Sequence, residues 1–180
     1  MRGSAWVLAA AAAAAAAAIA SPAAAQGVKL VPGEEVVFAL DGGTPVGAKR
    51  ASITPNAFEA EVGRHFSGQK PPEAPVTEAV PIPGGDRLPP APEPEAGKLR
   101  FRFLQVPGTD HALLAVDNGY ARGLLYRAQI TSNGRTGPTD VCLVMPGKGG
   151  VEHWPYAIAS IEVSGFELVD WKPEDGVPCK

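Results

Sequence analysis

Three histidines, His65, His111 and His153, are the side chains best suited to chemistry in this 180-residue chain. Two of them stand beside carboxylates, in Asp110-His111 and Glu152-His153. An imidazole next to a carboxylate is what a general base or a zinc site is built from. The spacing argues against both uses: no His-x-His pair or tight cluster occurs, and neighbours along a strand point to opposite faces. The expectation is three unrelated histidines serving local hydrogen bonds, with no metal, cofactor or catalytic residue assigned. The enzymatic alternative is an exported hydrolase or metal-dependent enzyme using His111 or His153 with Asp110, Glu152 or Asp140. There is no Gly-x-Ser-x-Gly elbow, phosphate-binding loop, dinucleotide fingerprint, His-Glu-x-x-His run or Cys-x-x-Cys pair to support it.

His153-Trp154-Pro155-Tyr156 is the most unusual tetrapeptide. Aromatics on a loop make an adhesive platform for a peptide or sugar, so His153, Trp154 and Tyr156 are the candidate binding residues. The competing reading has the rings buried as a plug at one end of the fold. Tyr120 and Tyr126 are expected to pack, with their hydroxyls in water. Arg100, Arg102, Arg122, Arg127 and Arg135 gather in the second half. Arg100 and Arg102 share one strand face, either solvated or accepting an acidic partner, for which the Glu-rich proline segment of the same chain is one candidate.

The two cysteines, Cys142 and Cys179, are expected to form one disulfide that staples the C-terminal tail to a strand. Closing a loop of about 38 residues stabilises the fold by roughly 4 kcal/mol in the chain-entropy account.

The elements that must position these residues read as short extended runs bounded by Gly, Pro, Asn or Asp. Val28–Val31 and Glu35–Leu40 come first, with Pro32-Gly33 as a turn between them. Ala57–Val62 alternates Phe58, Ala60 and Val62 with Glu59 and Glu61, the pattern of a half-buried strand, with a short helix as the alternative. Leu99–Val106 sets Leu99, Phe101 and Phe103 against Arg100 and Arg102. Ala112–Val116 is apolar, and Asp117-Asn118-Gly119 predicts a hairpin to a partner strand over Gly123–Thr131. After a turn at Ser132-Asn133-Gly134, Thr139–Met145 carries Cys142, and Ile158–Val169 forms a last long run with Gly165 as its bulge. Antiparallel order follows: an all-β sandwich, Greek-key or immunoglobulin-like, of seven or eight strands. Residues 67–98 break the pattern with interleaved Pro and Glu and are expected to be an extended, mobile loop or linker, or a polyproline docking segment.

Composition sets the remaining bounds. With 21 Gly, 19 Pro and a formal net charge of −3, a coiled coil, a polytopic membrane protein and an electrostatically driven nucleic-acid binder are all disfavoured. Residues 1–25 read as a signal peptide: Arg2, an uncharged alanine-rich stretch, Pro22, then Ala23-Ala24-Ala25 before Gln26. Cleavage there leaves a single β-rich domain, 26–180, exported to the periplasm or beyond, with no transmembrane anchor. The functional expectation is a non-enzymatic protein-binding or envelope-associated module whose partner is an envelope or secreted protein and not nucleic acid, making contact through a sheet edge or the Trp154/Tyr156 loop. A small-molecule carrier, which needs an apolar cavity of a few hundred Å³, is the other alternative.

Overall fold

The computed structural model describes residues 27–69, 80–81 and 87–180. The expected signal segment, and residues 70–79 and 82–86 of the proline-rich stretch, lie outside the described residues. Two antiparallel sheets face each other. The first contains β1 (Val28–Leu30), β8 (Gly123–Ser132), β9 (Arg135–Thr139) and β11 (Ser160–Val169) in the order β1-β11-β8-β9. The second contains β2 (Glu34–Asp41), β3 (Thr44–Ser52), β6 (Leu99–Gln105), β7 (Ala112–Asn118) and β10 (Gly149–Trp154) in the order β10-β7-β6-β2-β3. A small pair, β4 (Val80–Pro81) with β5 (Arg87–Leu88), stands outside them, and one helix, α1, spans Ala57–Phe66. The all-β sandwich follows the expectation, with nine strands in its two sheets instead of seven or eight.

The alternation in β6 does what period-2 patterning demands. Leu99, Phe101 and Phe103 are fully buried between the sheets, while Arg100 and Arg102 face outward. Phe38, Phe101, Tyr126 and Phe166 form the aromatic centre: Phe38 stacks on Phe101 at 5.7 Å, and Phe166 meets Phe38 edge-on at 5.2 Å. The Tyr126 hydroxyl is buried without a partner among the described residues, so its expected solvation is corrected; burial raises its pKa well above that of a free phenol.

Three other expectations are corrected. Ala57–Val62 is the start of α1 and not a strand. Asn56 caps it, accepting from Glu59 N–H at 2.9 Å while Glu59 accepts from Asn56 N–H at 2.8 Å, a capping box. Asn118-Gly119 does not close a hairpin, because β7 and β8 belong to different sheets and β8 pairs with β11 and β9. Asn118 is instead fully buried, its amide donating to the Arg122, Val144 and Met145 carbonyls and its Oδ1 accepting from Tyr120 N–H. A side chain at Gly119 would meet the Glu95 carbonyl, so this glycine serves close approach and not a left-handed turn. Tight two-residue hairpins are instead made by Asn133-Gly134, with φ of 49° and 73°, joining β8 to β9, and by Gly42-Gly43, with φ of 54° and 84°, joining β2 to β3.

Thirdly, the extended run at Thr139–Met145 is displaced. β9 lies earlier, and residues 141–144 cross between sheets with only isolated bridges to Leu124 and Cys179. Strands from both sides of residues 67–98 share the five-stranded sheet. Cys142 and Cys179 are bonded, S–S 2.01 Å, and the tail pairs with residues 141–143 through three backbone hydrogen bonds. Gly165 lies at a register shift between Ser164 and Glu167 with φ of 61°, the expected bulge.

Candidate functional site

The outer face of the five-stranded sheet is covered along part of its length by α1. Phe58, Val62 and Phe66 lie four residues apart on one stripe of the helix. Val62 packs on Leu104, Val106 and Leu113 of the sheet. Gly63 lets the backbone come close, since a Cβ there would lie 3.0 Å from Val106 and 3.2 Å from Leu113.

Charge is concentrated under the start of the helix. Arg102 donates to both Glu59 oxygens, at 2.5 and 3.1 Å, to Glu35 at 2.6 Å and to the Thr54 carbonyl at 3.0 Å. Burial works against its charge, but the Glu59 and Glu35 carboxylates outweigh that and raise its pKa. Of the two readings of the arginine face, solvated or meeting an acidic partner, Arg102 follows the second, with Glu59 of α1 and Glu35 of β2 as its partners among the described residues.

Beside this network a cleft of about 410 Å³ opens between α1, β7, β10 and residues 91–92. Phe58, Ala115, Met145 and Val151 give it apolar walls, and among the described residues Asp117 and Lys148 are its charged groups apart from the Arg102–Glu59 pair. Strand register explains the arrangement: Ala115 lies between Arg102 and Val151, and Asp117 between Arg100 and Gly149. Asp117 Oδ2 receives a long contact of 3.4 Å from Arg100, and Oδ1 has no hydrogen bond among the described residues. Burial raises the Asp117 pKa, with Arg100 pulling the other way.

His111 and His153 meet at the other end of the same face. Their Nδ1 and Nε2 atoms are 2.9 Å apart, and Phe66 stacks on His153 with centroids 4.9 Å apart. The expectation of three unrelated histidines is corrected for this pair, because β10 aligns His153 opposite Leu113, two residues from His111. Burial, then the proximity of His111, lowers the His153 pKa. No carboxylate bonds to either ring among the described residues. Glu152 faces the opposite side, where it accepts from Cys142 N–H at 2.7 Å and burial raises its pKa. Among the described residues no group of three or more His, Cys, Asp or Glu converges on a metal position.

The aromatic loop divides. Trp154 is buried in the core and its indole donates to Thr139 Oγ1 at 2.8 Å, as the plug reading has it. Tyr156 is exposed, and His153 is half-buried under Phe66. Sequence reasoning missed Asp117, Ala115 and Val151 as site residues, because nothing in a chain of apolar strand residues marks which of them will line a gap. The Asn56-Ala57-Phe58-Glu59 capping signature was available and would have placed Phe58 and Glu59 on a helix.

Fold and cleft together define a disulfide-closed β-sandwich with a cavity of small-ligand size on one sheet face. The chain matches no protein-family model, no curated protein and no solved structure among those it was compared with.

Proposed function

We propose that this is an exported, non-enzymatic binding protein whose site is the cleft between α1 and β10, and that it carries a small molecule there. The observation that supports this reading is the cavity of about 410 Å³ with apolar walls, in which two of the four charged residues among the described lining, Arg102 and Glu59, are paired with each other, the character and size of small-ligand pockets. Export is supported by the Cys142–Cys179 disulfide, which persists in oxidising compartments, together with the signal-like pattern of residues 1–25.

A neutral apolar fluorophore, N-phenyl-1-naphthylamine, tests the cleft without regard to charge. Saturable one-to-one binding is expected, displaced by n-octanol and lost in Ala115→Phe, whose ring occupies the space next to Val151. Undiminished binding in a folded Ala115→Phe protein overturns the assignment of the site.

The alternative of an envelope or secreted protein partner docking by strand addition has one favourable feature. β3 is an edge strand, exposed along almost all its length and unpaired on its outer side among the described residues. Pro45, Lys49 and Arg50 lie along it, residue types that natural sheets use to discourage indiscriminate pairing.

A further inference from the structure

The ligand's chemistry can be read from which charged atoms in the cleft are already satisfied. Arg102 spends its donors on Glu59, Glu35 and the Thr54 carbonyl. Glu59 is buried and fully engaged by Arg102 and the Asn56 N–H. Lys148 is exposed at the rim and makes no ion pair with a described residue within 4 Å. Asp117 is different. Its side chain is only 14 % exposed, Arg100 approaches just one of its oxygens, and at 3.4 Å. Its Oδ1 has no donor among the described residues, and it belongs to a residue that lines the cavity.

The residue opposite Asp117 keeps that oxygen accessible. Gly149 faces it across the β7–β10 pair, and a Cβ at Gly149 would stand 3.2 Å from Oδ1. A larger residue in this edge strand would cover the carboxylate. Among the described residues the formal balance around the site also leaves negative charge over: Glu35, Glu59 and Asp117 stand against Arg100 and Arg102, with the solvated Lys148 outside the network.

We propose that the cleft binds an organic cation, an apolar body carrying a protonated amine, with the ammonium donating to Asp117 Oδ1 and the body lying against Phe58, Ala115 and Val151. This rests on the ligand-cleft reading above. The ammonium supplies the donor Oδ1 lacks, and the apolar walls take the part of the ligand that water solvates poorly. An anionic ligand fits less well, since the Arg102 donors are occupied and Lys148 would have to hold it from solvent.

A matched series decides it: n-octylammonium, n-octanol and n-octanoate, titrated by calorimetry into the full chain at pH 7 and low salt. The expected order is octylammonium first, about tenfold or more tighter than octanol, as a charge-assisted hydrogen bond in a partly buried site implies, with octanoate last. Asp117→Asn is expected to erase the preference for the amine, so that octylammonium binds the variant no more than about twofold tighter than octanol does. Gly149→Ala, which crowds Oδ1 without removing its charge, is expected to weaken octylammonium selectively and serves if Asp117→Asn does not fold. Equal binding of amine and alcohol, or tightest binding of octanoate, overturns the cation proposal while leaving the cleft in place. Failure of all three to bind overturns the cleft itself.

Discussion

Arg102 is the residue on which the outer face of the five-stranded sheet is organised, and removing it should expose how much that organisation is worth. In Arg102→Leu, among the described residues, the Glu59 carboxylate, its side chain 3 % exposed, keeps only the bond from the Asn56 N–H, and Glu35, 19 % exposed, keeps only Arg100 at 3.9 Å. Removing one partner of a buried ion pair typically costs about 3–5 kcal/mol, because an uncompensated charge stays behind. Glu35 retains some solvent and Arg100, so the expected loss is near the lower end, about 3 kcal/mol, a large part of a total stability of roughly 5–15 kcal/mol. With a urea slope of about 2 kcal/mol/M, the midpoint should fall by about 1.5 M. Trp154, buried against Thr139, serves as the fluorescence reporter. The double variant Arg102→Leu/Glu59→Leu removes both charges and should recover at least about 1.5 kcal/mol relative to the sum of the two single losses. Glu59→Leu alone also gives up the bond to the Asn56 N–H, which is why the cycle and not the single variant measures the pair. Simple additivity of the two losses, within about 0.5 kcal/mol, would refute the claim that these side chains act as one buried network.

Two further outcomes are expected. Replacing Cys142 and Cys179 by Ser, a sequence separation of 37, should lower stability by about 4 kcal/mol on the loop-closure account; a change below about 1 kcal/mol on denaturant unfolding would mean the tail is held by its backbone pairing instead. Glu152→Gln keeps an oxygen to accept the Cys142 N–H and removes a buried charge. Because burial raises the folded-state pKa of Glu152 above 4.5, its favourable contribution is complete below 4.5 and is lost as pH rises through the folded value. The Gln variant should therefore match or exceed the wild type at pH 7 and lose that advantage at pH 4. His153, whose lowered pKa works in the opposite sense as pH falls below 6.5, is common to both proteins and cancels in the comparison. A Gln variant clearly less stable than wild type at pH 7 would contradict the assigned cost.

The local features were legible because they depend on neighbours in the chain. The alternation of Leu99, Phe101 and Phe103 with Arg100 and Arg102 dictates a strand with one buried face wherever that strand lies. Gly165 needs a left-handed backbone that few other residues tolerate, so its bulge was readable in the sequence. The half-buried-strand reading of Ala57–Val62 failed because alternation over six residues is shared by strands and amphipathic helices, and the Asn56–Glu59 capping box decides between them. Asn118-Gly119 misled for a different reason: the dipeptide that suits a tight hairpin also suits a buried polar anchor beside a glycine that another segment must approach.

By itself, then, the sequence determined the class of fold, the faces of its best-patterned strands, the cysteine pair and the punctuation between elements, all of which follow from backbone preferences and period-2 patterning. Which strands are neighbours, that His111 meets His153, that Trp154 is core, and that Asp117 opens into a cleft beside Ala115 and Val151 all emerge from long-range packing. Those outcomes rest on register between strands far apart in the chain, and a shift of one residue would send Asp117 and His153 to the opposite face of their sheet. No local pattern carries that information; the fit of two sheets around a common core does.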